Sequence, residues 1–246
     1  MASRARCWFA SLALTLMLPW AHATETVTLA STEYPPYYGS TLPQGGVIAE
    51  IARQALQRTG YELRIEWYPW ARALKTAQAG RVDGLLGVWR SAERERWLAY
   101  SQPLPANQVG FYKRVDSAIT FETMSDLKGR RIGVVRGYVN PKAFDDARLT
   151  TDDATDDTMN LRKLGGRRVD LILIDKGVAS YLLQTVVPEL QGQLVWVEPA
   201  IEVFPLYVGF VRSSERHERL LQAFNRGLKE MERDGTLQRL VTDAGL

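Results

Sequence analysis

The side chains able to carry chemistry are unevenly spread along this sequence. The one cysteine, Cys7, and one of the two histidines, His22, lie within residues 1–23, so His217 is the only imidazole downstream. A zinc site of the His/Cys kind, a Cys–His pair and a metalloprotease helix all need more than that. Carboxylates, guanidinium groups and aromatic rings are left. Arg94 sits in the charge run Arg90-Ser-Ala-Glu-Arg-Glu-Arg96, which on spacing alone reads as a solvated face. Ser91 is placed to cap a helix that follows it. Asp175 ends the apolar run 169–174. It can cap the helix starting at Lys176, or face a ligand beyond the carboxyl end of its strand. Gly137-Tyr138 follows the apolar segment 132–135 and reads either as a plain tight turn or as a backbone anion site. Asp152-Asp-Ala-Thr-Asp-Asp157 resembles a calcium-loop fragment but lacks the Gly turn and the later Glu, and acidic residues at a helix N-terminus explain it better. His217, between charges on a predicted helix, reads as a surface residue.

These groups are carried by 246 residues, 46% hydrophobic and 24% charged, a composition that excludes collagen-like repeats, coiled coil and disorder. The length allows one large domain or two small lobes. Residues 1–23 read as a secretory signal peptide. Arg4 and Arg6 lead the apolar run 7–18, Pro19 breaks it, and Ala21-His22-Ala23 marks cleavage after Ala23. The apolar run falls short of the roughly 20 residues a membrane span requires. Removing Arg4 and Arg6 leaves 29 of the 31 basic residues against 28 acidic ones, a net charge of +1. Such a chain has no overall field for nucleic acid or an anionic membrane. With Cys7 gone, the exported protein carries neither disulfide nor thiol chemistry; no cofactor and no metal are expected.

The elements that must position the side chains alternate. Strand-like 27–30 precedes a turn-rich stretch, helical 47–58, strand 61–67, helix 70–79 and strand 82–88, a β-α-β-α-β order that implies parallel strands with crossover helices. The pattern repeats with strand 131–135, helix 154–164, the apolar strand 169–174, helix 176–187 and strand-like 194–197. Two β/α units imply two lobes. Extended segments 108–114 and 206–212 are placed to cross between them, and a terminal helix over 215–233 to pack back on the first.

Short motifs in a fixed order run through this frame. They are Tyr34-Pro-Pro-Tyr37, Gly80-Arg-Val-Asp-Gly84, Ser91-Ala-Glu-Arg94 with Tyr100-Ser-Gln-Pro103, Asp126-Leu-Lys-Gly129 leading into Arg131-Ile-Gly-Val-Val-Arg-Gly137, Gly166-Arg-Arg-Val-Asp170 leading to Asp175, and Asp234-Gly-Thr236. In this order the chain resembles the extracytoplasmic solute-binding proteins, family 3, that serve amino-acid ABC importers. The resemblance implies a two-lobed periplasmic-binding-protein-like α/β fold (type II), with two parallel-rich sheets joined by two hinge strands. Residues 24–108 and 206–246 would form lobe 1, and 109–205 lobe 2.

The resemblance also implies roles. Arg94 would take a solute carboxylate, because a guanidinium donates two parallel hydrogen bonds. Asp175 would take the ammonium, the backbone at Gly137 and Tyr138 would meet the carboxylate from lobe 2, and Tyr34 would wall the solute side chain. Tyr138 replaces a small hydroxyl residue, so its backbone role carries over better than its side chain. Trp89 and Arg90 depart from the family pattern; Trp89 either caps the side-chain pocket or belongs to the lobe core, and Trp70 raises the same question. The implied function is a periplasmic, monomeric, non-enzymatic binder of a zwitterionic solute that delivers it to an ABC permease. A cyclohexadienyl-dehydratase-like enzyme on the same fold, with Glu33 and Glu202 as acid/base candidates, and a ligand-sensing partner of a membrane receptor are the alternatives.

Overall fold

The computed structural model describes residues 24–245, so the signal-peptide reading of 1–23 lies outside the described residues. The chain opens with strand β1 (Glu25–Ser31), helix α1 (Val47–Gln57), β2 (Tyr61–Trp67), α2 (Trp70–Gln78), β3 (Gly84–Val88), α3 (Ala92–Glu95) and β4 (Leu98–Tyr100). Strand β5 (Leu104–Arg114) leads to β6 (Arg131–Val135), α4 (Lys142–Asp146), β7 (Thr150–Ala154), α5 (Asp157–Gly165), β8 (Leu171–Asp175) and α6 (Lys176–Thr185). The long β9 (Leu194–Val211) then returns to α7 (His217–Arg233) and α8 (Thr236–Asp243).

Alternation along β1 sends Val27 and Leu29 to the side covered by α1 and α7, and Ala30 to the side covered by Trp70, Ala73 and Ala77 of α2. Helix α1 buries Ile48, Ile51, Ala52, Ala55 and Leu56, a single helical stripe. It meets α7 so closely at Gly227 that a Cβ there would fall on the carbonyl oxygen of Ala55. Strand β8 is buried on both faces, as its unbroken apolar sequence requires.

Strands β2, β1 and β3 pair in parallel, as do β7, β6 and β8. Antiparallel β5 and β9 stand between these groups, giving the order β2-β1-β3-β9-β5-β8-β6-β7 with β4 also on β9. The result is a two-lobed α/β fold whose parallel-rich sheets are joined through β5 and β9. Strand β9 pairs with β5 from Leu194 to Leu206, then with β3 and β4 from Tyr207 onward.

Three features differ from the sequence expectation. Segment 194–197 and all but the last residue of 206–212 belong to one strand, interrupted in pairing rather than in direction. The ladder between β5 and β9 shifts register between Leu104 and Ala106, opposite Pro205, and again between Val109 and Phe111, opposite the stretch holding Pro199. Prolines donate nothing to a ladder and collect at such irregularities. The helix expected over 154–164 starts at Asp157, because Thr150–Ala154 is strand β7 and Asp156 caps the helix by accepting from Met159 N–H at 2.8 Å. A further helix, α8, follows the terminal one after a break at the left-handed Gly235 (φ 77°).

Candidate functional site

Arg94 is the buried member of its charge run, 6% exposed on the single turn of α3. Ser91 caps that turn, its hydroxyl accepting from Arg94 N–H at 3.3 Å. The guanidinium donates through Nη1 to Trp89 O at 3.0 Å and through Nη2 to Gly137 O at 2.6 Å, and lies 5.5 Å from the centre of the Trp70 ring. Burial lowers its proton affinity, and no carboxylate pairs with it among the described residues. Arg90 instead turns outward to Glu95. A buried guanidinium held only by carbonyls and a ring face has donor capacity left over.

Around Arg94 stand Tyr34, Tyr38, Trp70, Trp89 and Tyr138, lining a cavity of about 10 Å³ with Gly87. Tyr34 stacks on Tyr38 at 5.3 Å and meets Trp89 and Tyr138 edge-on at 6.1 and 6.0 Å. Trp89 is 7% exposed, stacked on Phe204 at 4.8 Å, with its Nε1–H donating to Asn107 Oδ1 at 3.1 Å. Asn107 in turn donates to the Tyr34 hydroxyl at 2.9 Å. Gly87 (φ 75°) has no room for a side chain, since a Cβ would enter the Tyr38 ring.

Asp175 lies on the opposite side of Trp89 and Tyr138, in an adjoining cavity of about 10 Å³ that also touches Val109 and Asn140. It ends β8 and caps α6, with Oδ1 accepting from Val178 N–H at 2.8 Å and Oδ2 from the Tyr37 hydroxyl at 3.4 Å. Burial raises its pKa to about 6 despite these hydrogen bonds. The reciprocal effect, burial plus the nearby carboxylate, pushes the Tyr37 hydroxyl upward. Each cavity is the size of one water, so a solute larger than that needs the lobes to separate.

The two cavities therefore bring together Tyr34, Trp89, Arg94, Tyr138 and Asp175. Gly137 joins them through its carbonyl rather than its N–H: its oxygen accepts from both Arg94 and Trp70 Nε1 (2.9 Å). The Tyr138 amide is engaged within its own turn, donating to Val135 O at 3.1 Å, while its hydroxyl donates to Asp157 Oδ2 at 3.1 Å. Glu33 lies on an exposed loop and accepts from Ser40 N–H; Glu202 is exposed on β9. His217 starts α7 with Nδ1 2.7 Å from Ser214 O. In the acidic run, Asp152 pairs with Lys163 and Asp153 with Arg136, and no His/Cys/Asp/Glu cluster fit for a metal occurs among the described residues.

Tyr37, Tyr38, Asn107 and Asp157 complete this constellation; none has a site role from sequence alone, although Tyr37 falls in the Tyr34–Tyr37 motif and Asp157 in the acidic run. Asn107 did carry a signal, a polar residue inside the apolar stretch of β5 that is 1% exposed.

Among the described residues, the cleft between the parallel-rich units holds one buried cation, Arg94, and two buried carboxylates, Asp175 and Asp157, in a fold of the two-lobed class. Residues 27–243 match the model of the bacterial extracellular solute-binding proteins, family 3, and the chain belongs to that family. The L-cystine-binding protein TcyJ of Escherichia coli is 27% identical over 212 residues, 84% of this chain and 77% of the relative. The arginine-binding extracellular protein ArtP of Bacillus subtilis is 24% identical over 216 residues, 85% of this chain and 82% of the relative. A histidine kinase sensor domain with similarity to periplasmic binding proteins superposes with a TM-score of 0.79 at 20% identity, over 89% of this chain and 95% of its own.

Proposed function

We propose that this protein binds an α-amino acid or close relative between its lobes, outside the cytoplasm, and hands it as a monomer to an ABC permease. The observation that carries the reading is Arg94: a guanidinium 6% exposed with no carboxylate partner among the described residues. A solute carboxylate would take over the acceptor place of Gly137 O, exchanging a neutral acceptor for a charged one. Asp175 would receive the ammonium, and Tyr34, Trp89 and Tyr138 would enclose the remainder. The relatives named above, a cystine-binding and an arginine-binding protein, favour amino-acid chemistry. We take the lobe boundaries as 24–108 with 206–246, and 109–205. Support comes from the register breaks of the β5–β9 ladder and from the partner switch of β9 near Leu206, where bending disturbs the fewest hydrogen bonds.

Binding without turnover is the reading we adopt. Elimination from a bound acid would need a positioned acid/base, and both Glu33 oxygens face the Ser40 amide as a loop anchor. Export with cleavage after Ala23 completes the proposal.

A thermal-shift screen against amino acids, polyamines and small carboxylates tests it. Ligand at about 100 times its Kd adds about 2.7 kcal/mol, which for a chain of this size raises the midpoint by roughly 5–10 °C. At least one amino acid should do so, and Arg94→Ala should remove most of the shift, because truncating one member of a buried charge pair costs on the order of 2–5 kcal/mol. A shift that survives Arg94→Ala, or a response to polyamines alone, contradicts the proposal.

A further inference from the structure

Arg94 and Asp175 are not the only buried charges at the cleft. Asp157, the first residue of α5, is 5% exposed. One of its oxygens accepts from the Tyr138 hydroxyl at 3.1 Å, and it forms no ion pair with a cation among the described residues. Its acidic neighbours are accounted for differently: Asp152 and Asp153 are ion-paired, and Asp156 serves as the cap. Asp157 alone of that run is both buried and without a cation. Burial and the nearby carboxylates of Asp175 and Asp156 raise its pKa to about 7. A carboxylate in this situation is uncomfortable without a positive partner.

The space beside Asp157 is large. It borders a cavity of about 780 Å³ between the lobes, walled by Trp67, Tyr68 and Tyr181, with the loop residue Glu33 at its edge. Thr32 lines both this cavity and the small one around Arg94, so the two adjoin. Arg162 also borders the large cavity, but it is solvent-exposed and makes no ion pair with Asp157.

Counting charges in the cleft gives one buried cation, Arg94, against two buried carboxylates, Asp175 and Asp157. A plain zwitterion satisfies only the first two. We infer that Asp157 receives a second cationic group, carried at the far end of the solute side chain, with the neighbouring aromatic rings as walls. The solute class is therefore an α-amino acid with a positively charged side chain, an inference that rests on the amino-acid reading above. Aromatic walls suit such a cation, because a desolvated ring face attracts it.

Isothermal titration calorimetry of the purified protein with L-arginine, L-citrulline and cadaverine tests the inference. Citrulline keeps the shape and loses the charge; cadaverine keeps two cations and loses the carboxylate. Arginine should bind at least about tenfold tighter than citrulline, and cadaverine should bind weakest, since it leaves Arg94 unpaired. In Asp157→Asn the ratio of arginine to citrulline affinity should fall towards one. Equal affinities in the wild type overturn the inference without recourse to any variant, and so does a ratio unchanged in Asp157→Asn. If citrulline and arginine bind equally and Arg94→Ala abolishes both, the amino-acid reading stands and only Asp157 is misassigned. If neither amino acid binds, or Arg94→Ala changes nothing, both fall.

Discussion

Asp175 caps α6, and a single substitution can separate that cap from the ammonium-binding role proposed for it. As an N-cap it supplies one oxygen to the Val178 amide, a role asparagine fills about as well. As a charge it is 2% exposed and faces no cation among the described residues, a position that disfavours ionisation. Asp175→Asn should therefore leave the thermal midpoint of the solute-free protein unchanged or slightly higher. Solute affinity should fall at least about tenfold, because the ammonium loses its partner. Calorimetric melting and titration on one preparation check this; a midpoint and affinity that drop together would mean that Asp175 is a cap and nothing more. Residue identity was only partly legible beforehand. Arg90, Arg94 and Arg96 are equivalent as letters in a charge run, and only the turn capped by Ser91 decides which one is buried. Asp156 and Asp157 present the same problem: the phase of α5 makes one a cap and the other an interior carboxylate, and two adjacent Asp residues do not show which.

Elements with strong periodicity were the readable part. Strand β2 and the starts of α1, α2, β6 and α6 fall where apolar spacing and the flanking Gly and Pro residues put them. Strand β7 was missed because Thr150–Ala154 holds two acidic residues on an edge, which leaves no apolar alternation to read. The starts of α5 and α6 also carry a pH signature. Helix N-termini favour negative charge, yet for Asp157 and Asp175 burial prevails and raises the pKa values to about 7 and about 6 from the ordinary 3.8. In that interval the folded chain binds more protons than the unfolded one, so stability falls as pH rises from about 4 to about 7. Asp126 and Asp234 are held below the ordinary range by their hydrogen bonds, so they act only at more acidic pH. The solute-free protein should melt higher at about pH 5 than at about pH 8, with the difference reduced in Asp157→Asn. A midpoint that climbs steadily across that range would contradict the burial of these two carboxylates.

On the scale of the whole molecule, the two parallel-rich units and the strands between them followed from the repeated β/α order. Their closeness did not. Trp70 Nε1 and Arg94 Nη2, both from the N-terminal unit, converge on Gly137 O of the other unit, and Tyr34, Trp89 and Tyr138 pack across the same boundary. Such contacts depend on how far the lobes have swung together, which no local pattern encodes. In the proposed binding mode a solute carboxylate would displace the protein's own carbonyl from Arg94, so affinity would reflect an exchange of acceptors rather than a new bond. In the proposed function Arg94 recognises the solute carboxylate. Titration of the best-binding amino acid and of its carboxamide into the wild type and Arg94→Ala, a double cycle, tests it most directly. The wild type should prefer the acid by at least about tenfold, and Arg94→Ala should bind acid and amide with similar, weak affinity. An undiminished preference for the acid in Arg94→Ala would mean that another group recognises the carboxylate.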